Sequence, residues 1–333
     1  MRAVFALFLI PSSAHRLEPP PGVILHGGGE YPGNFESYSA AMGPSLAPSI
    51  KMLYFGDWQG LNSTPPSTPH PWFVAALAEL ESDGAPDSAF IIPQIGLQLD
   101  VAGLASGALD PALSCLRASL RLLARPVFLR VGYEFNGPWN AYPAPQYVAA
   151  YRRLSAAIRG DPGLNPSVAL GWDGSCDTGV DPTPYWPGDD DQVDWQGVNL
   201  FSRGSAPVDP PQSCPWFWFE DSKKAGFPIL IGEATPRGLF TNRSGTWAAW
   251  FAPLLALLAE RKPGLLSYID MDWEHTDSGR WVGWGDSRVE APGAEAVLEG
   301  WKGAASGWFN RANRSDVLAV LGLPPGFPFA PLG

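Results

Sequence analysis

The sequence is short of groups that hold metals. Its 333 residues include three cysteines and four histidines, and no spacing among them reads as a metal-ligand set. No metal and no cofactor is therefore expected. Positive charge is scarce too: 22 Lys and Arg stand against 33 Asp and Glu, a net charge of −11. Nucleic acid and anionic membrane surfaces are poor partners for such a chain. No stretch has the roughly 18 uninterrupted apolar residues that a membrane span needs. There is no sequence repeat, no low-complexity tract and no domain boundary. The glycines of Gly27-Gly28-Gly29 lack a following Lys-Ser/Thr and the fuller dinucleotide pattern, which argues against a phosphate cradle. They read as a tight turn near a ligand.

What the chain does have is tryptophan, 15 in all. Indole faces stack on the C–H faces of sugars as readily as on other apolar surface, so the excess points either to carbohydrate or to a Trp-rich core. Apolar residues make up 45% of the chain, ample for a large core. A chain of this length is normal for a single α/β barrel.

The first 14 residues read as a secretion signal: Arg2 supplies the charge, Ala3 to Ile10 the apolar segment, Ser12-Ser13-Ala14 the small-residue cleavage site. That leaves 15–333 as one domain, expected to be secreted and monomeric. Acceptor sequons at Asn62, Asn242 and Asn313 agree with export. In an oxidising compartment Cys176 and Cys214 are expected to pair, with Cys115 buried in a helix.

Eight short apolar runs mark strands, at 23–26, 51–55, 89–94, 127–131, 168–173, 193–201, 228–233 and 265–273. Pro93 suggests a bulge or an early end to the third. Helical patterns fall at 35–46, 71–80, 111–124, 145–158, 215–224, 247–260 and 294–308. Strands alternating with helices, or with helix-sized gaps, imply parallel crossovers, and eight of them close a (β/α)8 TIM barrel.

Such a barrel gathers the C-terminal ends of its strands at one mouth. Glu30, Asp57, Glu134, Asp173, Glu233 and Asp272 are expected there. Glu134 and Glu233 stand out, because each directly ends an apolar strand. Two carboxylates facing each other across a pocket suit cleavage of a glycosidic bond. One must be kept protonated by apolar surroundings, the other ionised by donors and cations. Tyr133, Phe135 and Trp139 are expected to do the first for Glu134, and Arg130 the second for Glu233. His26 is either a binding residue or a satisfied core histidine. Trp172 and Trp273 are either sugar platforms or core.

Several motifs here resemble glycoside hydrolase family 26, the mannanases and relatives in the clan of retaining (β/α)8 glycosidases. That family carries an Arg, then His-Glu-Met-Asn-Gly and a Trp; this chain has Arg130, then Tyr133-Glu134-Phe135-Asn136-Gly137 and Trp139. The helix carrying Gln146-Tyr147 and Tyr151-Arg152-Arg153 is similar. So are Tyr185-Trp186-Pro187-Gly188-Asp189, Val193-Asp194-Trp195-Gln196-Gly197 and the Ile-Gly-Glu ending at Glu233. The resemblance is close over 125–240 and elsewhere follows strand order. It implies a hydrolase of β-linked mannan, xylan or glucan acting by double displacement, with Glu134 as acid/base and Glu233 as nucleophile. The residues expected near the sugar are His26, Arg130, Tyr133, Asn136, Trp139, Trp172, Asn199, Phe201 and Trp273. Two positions depart from the pattern: Tyr133 replaces the family's His, and Phe201 replaces the Tyr that ends strand six. The other readings are a barrel that binds carbohydrate without cleaving it, and a secreted scaffold protein.

Overall fold

The computed structural model describes residues 15–327, apart from residues 30, 32, 85–88, 189–191, 202–212 and 277–278. The expected signal at 1–14 and the carboxylate of Glu30 lie outside the described residues. Eight parallel strands close on themselves: β1 (Leu25–Gly29), β2 (Ile50–Phe55), β3 (Ile92–Leu97), β4 (Val127–Val131), β5 (Val168–Ser175), β6 (Trp195–Leu200), β7 (Ile229–Ala234) and β8 (Leu265–Tyr268), with β8 paired to β1. The connections carry α1 (Asn34–Met42), α2 (Trp58–Ser63), α3 (Pro71–Gly84), α4 (Val101–Ser106), α5 (Asp110–Leu123), α6 (Ala144–Arg159), α7 (Cys214–Ala225), α8 (Ala252–Arg261), α9 (Glu295–Ala305) and α10 (Arg314–Val320). The fold is a single (β/α)8 barrel. No helix among the described residues is long and apolar enough to cross a membrane.

Side chains alternate in and out along each strand, so the barrel interior fills in layers two residues apart. The bottom layer takes one residue from every strand: Leu25, Ile50, Ile92, Phe128, Ala169, Trp195, Leu230 and Leu265. Leu17, Phe90, Val317 and Leu321 pack in the same cluster. Outward-facing residues such as Val127, Leu129 and Val131 join the larger core shared with the helices. One step up, the interior turns polar: Gln94 donates to the Gly232 carbonyl at 2.9 Å and accepts from Ser267 at 2.8 Å. The apolar bottom closes the barrel; the polar upper layers hold the site.

Three expectations about strands need correction. The glycines after His26 do not form a turn; they complete β1, all three buried, with the Tyr38 ring packed against Gly28. β3 does not end at Pro93 but runs to Leu97. The Ile92 N–H bonds the Ser49 carbonyl on the β2 side, so the N–H that Pro93 lacks would face β4, where pairing begins only at Gln94. The eighth strand stops at Tyr268, and 269–273 lead into the mouth loops, where Leu239–Phe240 pairs with Gly285–Asp286. Cys176 and Cys214 form a disulfide with Cα atoms 5.6 Å apart, joining the end of β5 to the start of α7, while Cys115 is a buried free thiol.

Candidate active site

A cavity of about 620 Å³ opens at the C-terminal end of the barrel, with Glu134 and Glu233 both in its wall. Asp57 and Asp272, also expected at the mouth, are engaged elsewhere. Asp57 caps α2 by accepting from the Gly60 N–H at 2.8 Å. Asp272 pairs with Arg288 at 2.9 Å.

Glu233 reaches the cavity through an irregularity in β7. Val198 of β6 pairs with Ile231, but the next residue, Asn199, pairs with Glu233, so Gly232 is an extra residue. Strict alternation from Leu230 in the bottom layer would turn Glu233 outward. The bulge re-aims it inward, as bulges near active sites commonly do. Gly232 is also where Arg130 passes: a Cβ there would lie 2.7 Å from Arg130 Nε and 2.9 Å from Asn199 Oδ1.

Arg130 is fully buried and organises the polar layers. Its Nε donates to Asp173 at 2.5 Å, and its Nη2 donates to Asn199 Oδ1 at 3.0 Å and to Glu233 Oε1 at 2.7 Å. Burial opposes its charge, but Asp173 and Glu233 outweigh that and hold it ionised. Asp173 is buried as well, and loss of water pushes its carboxyl up to about 6 against the pull of Arg130. Tyr54, from β2, donates to the same Glu233 Oε1 at 2.9 Å.

Glu134 follows β4 in a turn and has φ 53°, a left-handed conformation that costs a non-glycine residue about 1 kcal/mol or more. Its neighbours hold it there. The Gly137 N–H donates to its carbonyl at 2.7 Å, and the Asn140 side chain donates to the carbonyls of Tyr133 and Glu134 at 2.8 and 3.0 Å. Its carboxylate accepts one bond, from Asn199 at 3.1 Å. Burial, then the charge of Glu233, push Glu134 up to about 8, while Asn199 and Arg130 pull the other way. The desolvation is not from Phe135, as expected, because that ring stacks on Trp172 in the core between barrel and helices.

The cavity walls are aromatic: Tyr133, Trp139, Phe201 and Trp273 all line it, with Trp139 48% exposed at the rim. Three other candidates lie elsewhere. His26 points out of the barrel, bonded to Tyr38 and Asn310 at 2.8 Å each, and burial lowers it to about 4, so it is a neutral core histidine. Trp172 is core, its indole N–H on the Tyr185 carbonyl at 3.1 Å. Asn136 locks the turn after β4 to the end of β5, accepting from the Ser175 N–H at 2.8 Å and donating to the Ser175 carbonyl at 3.0 Å. Residues that sequence reasoning passed over are Tyr54, Trp281, Trp284, Arg237 and Arg280, all lining the cavity. Arg237 stacks 4.3 Å over Trp284. The high Trp content was a signal for Trp281 and Trp284; Tyr54, Arg237 and Arg280 carried none.

No family model matches the chain. In sequence it is 27% identical to a β-1,3-xylanase of an Alcaligenes species, over 93% of this chain and 70% of that protein. It is 26% identical to the β-1,3-xylanase TXYA of a Vibrio species, over 83% of this chain and 63% of that protein. In fold it is similar to the catalytic domain of a GH26 endo-β-1,4-mannanase from Bacillus sp. JAMB-750, with a TM-score of 0.52, 14% identity, and coverage of 74% of this chain and 77% of that one. The chain is thus similar to glycoside hydrolases in sequence, and its barrel is similar in fold to that of a mannanase.

Proposed function

We propose that the protein hydrolyses a β-linked polysaccharide of the β-1,3-xylan type with retention of configuration, Glu134 acting as acid/base and Glu233 as nucleophile. The observation that carries this reading is the contrast between two carboxylates on one cavity. Glu233 takes two donors, one a guanidinium, on a single oxygen. Glu134 has one neutral donor and a carboxyl raised to about 8, so it is protonated near neutrality. In the first step Glu134 gives its proton to the leaving oxygen as Glu233 bonds the anomeric carbon. In the second, Glu134 takes a proton from the incoming water as the ester to Glu233 breaks. Asn199 touches both the acid/base and the arginine that holds the nucleophile, so it aligns the two halves. Tyr133, Trp139, Phe201 and Trp273 flank the sugar.

Xylan as substrate rests on the sequence relatives, which are named as β-1,3-xylanases. Export from the cytosol is part of the proposal, supported by the leader-like residues 1–14, the disulfide and the exposed sequon asparagines Asn62, Asn242 and Asn313. So is action as a monomer, since one chain supplies both carboxylates.

The test is reducing-sugar release from β-1,3-xylan, β-1,4-xylan and β-1,4-mannan by the parent, Glu233→Ala and Glu134→Ala. The parent is expected to favour β-1,3-xylan. Glu233→Ala should be inactive on everything. Glu134→Ala should fail on xylan yet still open aryl glycosides whose leaving group needs no proton. Normal xylan cleavage by Glu233→Ala would refute the assignment.

A further inference from the structure

We infer that Tyr54, on strand two, is a positioning residue that fixes the nucleophile together with Arg130, the residue after strand six offering no donor. The inference rests on the reading of Glu233 as nucleophile. Phe201, the residue after strand six, has a ring with no donor and packs in an apolar cluster with Met52, Ile269, Met271 and Trp273. The hydroxyl that meets Glu233 comes from Tyr54, at 2.9 Å on Oε1.

The ring behind that hydroxyl is held in a built setting. Tyr133 meets it edge-on, with centroids 5.2 Å apart and planes at 66°. The facing residue on β3 is Gly96, paired in register with Tyr54; a Cβ there would lie 2.7 Å from the Tyr54 ring and 3.1 Å from that of Tyr133. Gly96 therefore makes room for both rings. Tyr133 stands directly before Glu134, and Arg130 lies 5.4 Å from its ring. One packed unit thus spans the acid/base turn and the nucleophile.

The bonding pattern also selects an atom. Arg130 and Tyr54 both donate to Oε1 of Glu233. With Oε1 occupied, Oε2 is the oxygen that bonds the anomeric carbon. Oε1 becomes the carbonyl oxygen of the ester and keeps Tyr54 as its donor. Its hydrogen bond serves both steps and gives no proton away.

Tyr54→Phe removes the hydroxyl and keeps the ring. A reacting group misplaced by about 1 Å costs about a hundredfold in rate. The variant is therefore expected to lose about that much kcat with little change in KM. Because the loss is at the nucleophile, aryl glycosides with good and poor leaving groups should slow alike; loss at the acid/base would spare the good ones. Trapping with a 2-deoxy-2-fluoro xyloside bearing a dinitrophenyl leaving group, followed by intact mass, reads glycosyl-enzyme formation directly and counts competent sites, so misfolded protein is not mistaken for slow protein. Equal slowing of trapping and turnover supports the inference. Tyr54→Phe trapping within twofold of the parent, while Glu233→Ala does not trap, overturns it and leaves Glu233 in place. Trapping by Glu233→Ala would instead remove the reading on which it rests.

Discussion

Glu134 carries the pH dependence of the account. Its carboxyl, pushed up to about 8 by burial and by Glu233, keeps its proton through neutrality. Turnover of xylan should therefore hold to about pH 8 and then fall about tenfold per unit as the acid is lost. An aryl glycoside with a good leaving group should not show that alkaline limb in its first step. Stability follows the same sign. The folded chain binds this proton more tightly than the unfolded chain, whose Glu titrates near 4.3. The contribution is full below that pH and is lost as pH rises through about 8, so Glu134→Gln should flatten the fall in urea denaturation curves across that window. At this scale the two glutamates were legible, because each follows an apolar run. Tyr54 was not: it sits inside an ordinary strand, and only barrel closure brings β2 across from β7. For His26 and Trp172 the sequence left binding and core both open, because alternation along a strand does not say which face meets the mouth; both face the helices.

At the level of elements, the decisive feature is the extra residue in β7. The apolar run of Ile229 to Ile231 marked the strand correctly, and alternation within it would have pointed Glu233 away from the site. The bulge at Gly232 turns it back and leaves the gap through which Arg130 reaches Asp173, Asn199 and Glu233. Gly232→Ala would drive a methyl against the guanidinium and is predicted to lower kcat about a hundredfold, the scale of a misplacement near 1 Å. It should also cost about 1–3 kcal/mol of stability from overpacking. A Gly232→Ala protein with parental kcat would show that the arginine need not pass there. The order and number of strands were readable because every strand carries buried apolar residues. The paired segments at Leu239–Phe240 and Gly285–Asp286 were not, since two residues per strand leave no periodicity.

The whole molecule divides its labour along the barrel axis. Eight apolar residues, one per strand, seal the bottom; above them a buried polar layer centred on Arg130 fixes two carboxylates under an aromatic mouth. That division was implicit in the alternation of strands and helices, whereas the mouth walls were not, because Trp281, Trp284, Arg237 and Arg280 come from loops with no strand or helix pattern of their own. The central claim is that the two glutamates act by double displacement, which requires their carboxyls about 5–5.5 Å apart rather than the roughly 6.5–9.5 Å of an inverting pair. The most direct measurement is proton NMR of the anomeric signals during the first minutes of β-1,3-xylo-oligosaccharide cleavage. The β-anomer of the new reducing end should appear first, with the α-anomer growing in only by mutarotation. First appearance of the α-anomer would contradict the account.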